Sequence, residues 1–135
     1  MTAAADGAPH VDSFAATLGI EVANAGGGFA EAGATVGPEH LNPHHTTHGA
    51  FLYSLAGVAL AAAANDAEYS GVVSAVHIDY LRPSGQGDAL VAVARVAERL
   101  PREDLFEIRV LRRTAGHEAA EIVARASGRA TRRPR

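Results

Sequence analysis

One stretch limits what this chain can fold into: "HLNPHHTTHGAFLYSLAGVALAAAAN", His40 to Asn65. A polar, His-rich loop runs directly into a segment with helical character from about Gly49 to Asn65. Thr46, Thr47 and His48 mark its start, and Asn65 and Asp66 its end. Phe51, Leu52, Leu55, Val58, Leu60 and the alanines leave this helix almost no polar face. A helix that is apolar all round must be covered by protein on every side. A sheet curled against it covers one side, and a second subunit is the economical cover for the rest. Gly57 breaks the pattern at mid-helix, where glycine costs about 1 kcal/mol relative to alanine. Folding gives no reason for it.

The flanking sequence supplies the sheet. "VDSFAATLG" reads as a short helix ending at Gly19, and "IEVANAGGGFAEAGATVG" as a hairpin turning at Gly26 to Gly28. After the long helix come four strand-like runs: "GVVSAVHIDYL", "DALVAVARVAER", "DLFEIRVLRR" and "HEAAEIVARASG". The turns "RPSGQG", "LPRE" and "TAG" separate them. Phe106, Ile108 and Val110 alternate with Glu107 and Arg109, and Ala120, Ile122 and Ala124 alternate with Glu121 and Arg125. The expected class is α+β, one antiparallel sheet on one long helix. Residues 1–10 read as a flexible leader, 11–128 as a single domain, and 129–135, with "RATRRPR", as a solvated basic tail.

Composition removes several chemistries. The chain has no cysteine, so thiolate nucleophiles and thiolate metal sites are absent. All 12 basic residues are arginine, which excludes a P-loop lysine or a Schiff-base lysine. A net charge of −3 argues against nucleic-acid binding. No apolar run is long enough to span a membrane. The first residues lack the pattern of a secretory signal, so a cytoplasmic location is expected.

The order of elements, with "HLNPHHTTHGAFLYSLAG" and the later "HIDYLRP", resembles the hotdog-fold acyl-CoA thioesterases of the PaaI type, named for phenylacetate degradation. These are similar in turn to the 4-hydroxybenzoyl-CoA thioesterases. The resemblance covers about Leu18 to Ser127. It rests on Asn42, His44, His48-Gly49, Leu55-Ala56, Asn65 and "IDYLRP" from Ile78.

The resemblance implies five or six strands wrapped around one central helix, in homodimers or homotetramers. It also implies an aryl or short-chain acyl-CoA substrate bound between two subunits, with coenzyme A entering only as part of the substrate. Carried onto this sequence, the Gly49 N–H is the oxyanion donor, and Asn42 and His48 line the pocket and position the thioester. The helix N-terminus suits such a donor on physical grounds, because free N–H groups and the positive end of the dipole meet there. Arg82 is placed to reach a CoA phosphate, and Asn65 to cap the helix. His44, Ala50 and Ser54 fall beside the pocket.

The sequence departs from the family at two positions. Eight residues after the oxyanion glycine the family carries Asp or Glu, as nucleophile or as the base for water; here that position is Gly57. The second glycine of the usual "H-G-G" is Ala50. His48, His44 or His45 could serve as a base instead, although His45 reads better as a loop residue bonded to backbone. Ser54 lacks a partner base, and Asp66 is about 13 Å along the axis from position 57. His77 reads as a packed strand residue. The family uses no metal, and a site built from His40, His44, His45 and His48 is the lesser reading. Two functions remain open: an acyl-CoA thioesterase, weakened or altered at position 57, and a non-hydrolytic binder of acyl-CoA or a related small ligand.

Overall fold

The computed structural model describes residues 11–113 and 120–135. Helix α1 (Ser13–Thr17) is started by the Asp12 carboxylate, which accepts from the Ala15 N–H at 2.9 Å. It ends before Gly19, whose φ of +74° lies in the left-handed region. Strands β1 (Glu21–Gly26) and β2 (Phe29–Thr35) form the expected hairpin, turned through Gly27 and Gly28 at φ +62° and +81°. A single 3-10 turn (Pro38–His40) leads into the His-rich loop, and α2 runs from Gly49 to Ala63.

The remaining strands are β3 (Tyr69–Ser70), β4 (Val73–Tyr80), β5 (Ala89–Arg99), β6 (Glu103–Arg113), β7 (Glu121–Thr131) and β8 (Arg133–Pro134). Six of the strands form one antiparallel sheet in the order β1-β2-β5-β6-β7-β4. The sheet meets the α+β expectation, with one topological addition. Strand β4 is not beside β5 but at the far edge, so Leu81–Asp88 crosses the sheet to connect them. No helix among the described residues is long and apolar enough to cross a membrane.

Helix α2 lies chiefly on β2 and β5 and buries Phe51, Leu52, Leu55, Ala56, Val58, Ala59, Leu60 and Ala63. The strands beneath present small side chains inward: Ala30 and Ala32, Ala92 and Ala94, Ala124, Ala126 and Ala130. These alanines let the helix axis approach the sheet closely, while Phe106, Ile108 and Val110 fill the space beside it. The described residues do not cover the helix on every side. Ala50, Tyr53, Ser54, Gly57 and Ala61 form a stripe at helical spacing that remains exposed or half-buried.

Three local expectations need correction. The inward alternation of Ala120, Ile122 and Ala124 fails at a bulge. Val110 pairs with Ala124 but Leu111 pairs with Ile122, so Val123 is an extra residue and is buried together with Ala124. Ala120 is exposed and Ile122 only half-buried. Residues 129–135 are not a solvated tail: β7 continues to Thr131, and β8 pairs with β3. Arg132 sits 3.1 Å from the buried Asp104 carboxylate, and the Arg135 guanidinium donates to the Asp66 carbonyl, so the basic residues there are tied to the fold. His77 is not packed. It is 71% exposed and contacts Asp79 at 3.1 Å on the outer face of β4. The leader (1–10), the "TAG" turn and the first part of the last predicted strand lie outside the described residues.

The closeness of helix and sheet is testable at Gly128 of β7. A Cβ there would stand 2.5 Å from Cδ2 of the fully buried Leu60 and 3.2 Å from the Ala75 carbonyl. Gly128→Ala is expected to lower the unfolding free energy by about 1–3 kcal/mol through overpacking, read as a lower urea midpoint at unchanged slope.

Candidate active site

The first turn of α2 and the crossing connection after β4 together form a cleft of about 400 Å³. Asn42, Thr47, Gly49 and Leu52 line it on the helix side, with Tyr80, Leu81, Arg82, Pro83 and Ser84 opposite. The two walls are bonded to each other. Thr47 N–H donates to the Ser84 carbonyl at 2.8 Å, and the buried Ser84 hydroxyl donates to Thr47 Oγ1 at 2.7 Å. The far wall is held by the β7 bulge, whose Val123 carbonyl accepts from the N–H groups of both Leu81 and Arg82 at 2.8 and 3.1 Å.

Asn42 organises the loop before the helix. Its Oδ1 accepts from the His44 and Thr46 N–H groups, and its Nδ2 donates to Thr46 Oγ1. It lines the cleft, but with its carbonyl oxygen already occupied. His45 takes a left-handed φ of +63° in this loop and is exposed, and His44 is exposed outside the cleft lining. His40 is buried and stacked on Phe51 at 3.8 Å. Its Nδ1 accepts from the Gly37 N–H, so its Nε2 is protonated and donates to the Leu18 carbonyl at 2.9 Å. With both nitrogens engaged, His40 is a structural residue and is not free to ligate a metal.

His48 is the N-cap of α2. Its Nδ1 accepts from the Ala50 N–H at 2.9 Å, and its carbonyl accepts from the N–H groups of Phe51 and Leu52. A backbone N–H can only donate, so Nδ1 carries no proton and the neutral ring holds its proton on Nε2. The expectation that His48 lines the pocket is not met, since the cleft lining passes from Thr47 to Gly49, and in this state its ring offers a donor, not a base. No described group accepts from the Gly49 N–H, which is therefore the single unbonded donor of the first turn.

Arg82 lines the cleft with its Nη1 donating to the Ile122 carbonyl at 2.6 Å and its Nε 3.9 Å from Glu121. Arg112 pairs with the same Glu121 and braces the Pro83 carbonyl at 3.0 Å. Tyr80 is a site residue that sequence reasoning does not single out. Its hydroxyl donates to the Gly49 carbonyl at 2.9 Å, and its ring lies against Gly49. Partial burial, and next the neighbouring Tyr53, push its pKa above the usual tyrosine value.

Ala50, Ser54 and Gly57 lie outside this cleft, on the uncovered stripe of α2. The Ser54 hydroxyl donates to the Ala50 carbonyl at 2.8 Å, and no described base stands beside it. An added Cβ at Gly57 would meet nothing within 4 Å. Asn65 caps the far end of α2, donating to the Ala61 carbonyl at 2.8 Å and exchanging hydrogen bonds with Gly71.

Comparison with known proteins identifies relatives of this chain in sequence and fold. The family model of the thioesterase superfamily matches residues 44–100. The chain is 38% identical over 100 residues to the acyl-coenzyme A thioesterase PaaI of Escherichia coli K12, spanning 74% of this chain and 71% of that protein. The structure of the E. coli PaaI protein from the phenylacetic acid degradation operon superposes with a TM-score of 0.81 at 34% identity, covering 90% of this chain and 85% of that one. The TT0310 protein of Thermus thermophilus gives 0.81 at 31% identity, covering 90% and 98%.

Two stability changes follow from the helix geometry. His48→Ala removes the cap and is expected to cost about 1 kcal/mol. Gly57→Ala, entering open space at mid-helix, should gain about 0.5–1 kcal/mol. Thermal unfolding of the two variants measures both. Sequence, fold and superposition together place this chain among the PaaI-type hotdog proteins of the thioesterase superfamily.

Proposed function

We propose that this chain acts on acyl-CoA thioesters, with the Gly49 N–H as the oxyanion donor in a site completed by a second copy of the chain. The kinship with an acyl-CoA thioesterase at 38% identity supports the reaction class. The observation that carries the site is the unbonded Gly49 N–H at the start of a fifteen-residue helix, lining a cleft that also holds Arg82.

Hydrolysis adds water to the thioester carbonyl carbon. The carbonyl oxygen becomes an oxyanion, and the carbon–sulfur bond then breaks to release the acid, with CoA leaving as the thiol. Charge builds on that oxygen, where a fixed N–H and the positive end of α2 lower its energy most. Arg82 suits a phosphate of the CoA moiety. His48, with its proton on Nε2, can donate to the substrate but does not take a proton from water in that tautomer.

Distance supports the second copy. Position 57 is eight residues from Gly49, about 12 Å along the axis, so a side chain there cannot reach a thioester held by the Gly49 of its own chain. Among the described residues, the uncovered stripe from Ala50 to Ala61 and the sheet edge at β4 are surfaces available to a partner. In a homodimer or homotetramer, position 57 of one protomer can face the Gly49 of another.

Gly57 also favours a second reading, a non-hydrolytic binder of acyl-CoA, because no carboxylate stands where this family places its base or nucleophile. Turnover of phenylacetyl-, benzoyl- and short aliphatic acyl-CoAs separates the two readings. Slow hydrolysis by the chain as it stands is expected, with a gain of about 100-fold or more in kcat for Gly57→Asp, into space the structure leaves open. Tight binding with no turnover in either form would support the binder. Fast turnover that ignores the substitution would show that another group supplies the base.

A further inference from the structure

We infer that Tyr80 is the positioning residue of the oxyanion donor, and that Gly49 and Tyr80 form a matched pair. The inference rests on the proposed role of Gly49 and adds the device that aims it.

The two peptide units on either side of the Gly49 Cα are both restrained. In the unit that follows, the Gly49 carbonyl accepts from the Tyr80 hydroxyl at 2.9 Å, and the Ala50 N–H donates to His48 Nδ1 at 2.9 Å. In the unit that precedes, the His48 carbonyl accepts from the Phe51 and Leu52 N–H groups at 3.0 and 3.2 Å. The Gly49 N–H belongs to this preceding unit and is the polar group of the pair left without a described partner. His48 acts from within the first turn. Tyr80 is the only one of these restraints that comes from the sheet.

The Tyr80 backbone is firmly anchored, and the side chain of this 52% exposed residue is steadied by the bond to Gly49. It ends β4, paired with Ala124, and the next two residues are bonded through their N–H groups to the carbonyl of the Val123 bulge. Its ring also crowds the space a side chain at residue 49 would enter. A Cβ there would stand 3.1 Å from Tyr80 Cζ and 3.2 Å from its hydroxyl oxygen. The small residue makes room for the tyrosine of its own chain. Phenylalanine at position 80 would keep this packing and lose only the bond to the carbonyl, which makes the hydroxyl's task separable.

The test is Tyr80→Phe in the full chain, with two readouts. Amide relaxation should show the Gly49 N–H order parameter falling from the rigid range near 0.85 toward about 0.6. Exchange of the Ala50 amide should rise about tenfold while amides deeper in α2 are unchanged. On any acyl-CoA the chain turns over, kcat should fall about tenfold with KM within about twofold, the mark of an interaction realised in the transition state.

Unchanged order and exchange at residues 49 and 50 would overturn the inference. So would a raised KM at constant kcat, which would leave Tyr80 as a wall of the cleft and nothing more. Absence of turnover in the parent chain would count against the proposed reaction alone, because the amide measurements still decide for Tyr80. The pairing has its own check: Gly49→Ala should lower Tm, and adding Tyr80→Leu should restore part of the loss. Strictly additive effects would contradict it.

Discussion

The first turn of a helix exposes N–H groups that the helix itself cannot satisfy, and the disposition of those groups in α2 governs this structure. His48 takes two of them, the Ala50 N–H on its ring nitrogen and the Phe51 N–H on its carbonyl; its own N–H donates to the His40 carbonyl, and Gly49 keeps the fourth. The surroundings preserve that one exception. Thr47 is bonded to Ser84, Tyr80 to the Gly49 carbonyl, and the connection that follows Tyr80 and carries Ser84 is held by the Val123 bulge. An unbonded donor can persist at such a place because the cleft is open to water and ligand. It gives the helix dipole a defined point of action.

The helix that delivers this donor is held by shape more than by bulk. Alanines from β2, β5 and β7 meet a helix that is itself rich in alanine, and the larger side chains stand beside the contact. Close packing of this kind fixes the height of α2 over the sheet, and so the distance between Gly49 and the residues at the end of β4. The same helix presents Ala50, Tyr53, Ser54, Gly57 and Ala61 outward, with none of the described residues closing over them. Gly57 lies on this stripe, in open space and two turns from the donor. The proposed partner copy would meet it there.

Much of this was legible in the sequence, because it depends on periodicity and local chemistry. The apolar helix, the glycine hairpin, the α+β class and the role of Asn65 all follow from patterns that a few neighbouring residues carry. The placement of Asn42, Gly49 and Arg82 around one cleft was legible through resemblance to a family. The rest depends on contacts between residues far apart in the chain. A bulge at Val123 looks like ordinary strand sequence, and only the register against β6 reveals it. Tyr80 is only one letter of the "IDYLRP" run until the fold brings it against Gly49, 31 positions earlier in the chain. The last arginines looked like a free basic tail because Asp104, the buried acid that holds Arg132, lies on another strand. His77 looked packed because its neighbours in sequence are apolar, yet its side of β4 faces outward.

The most direct test of the account is the amide spectrum of the chain titrated with a non-hydrolysable acyl-CoA in which a methylene replaces the thioester sulfur, leaving a ketone. The Gly49 N–H should show the largest downfield proton shift in the molecule, because the ketone oxygen becomes its hydrogen-bond acceptor. A bound ligand that moves the resonances of Arg82 and Ser84 while leaving Gly49 unchanged would contradict it.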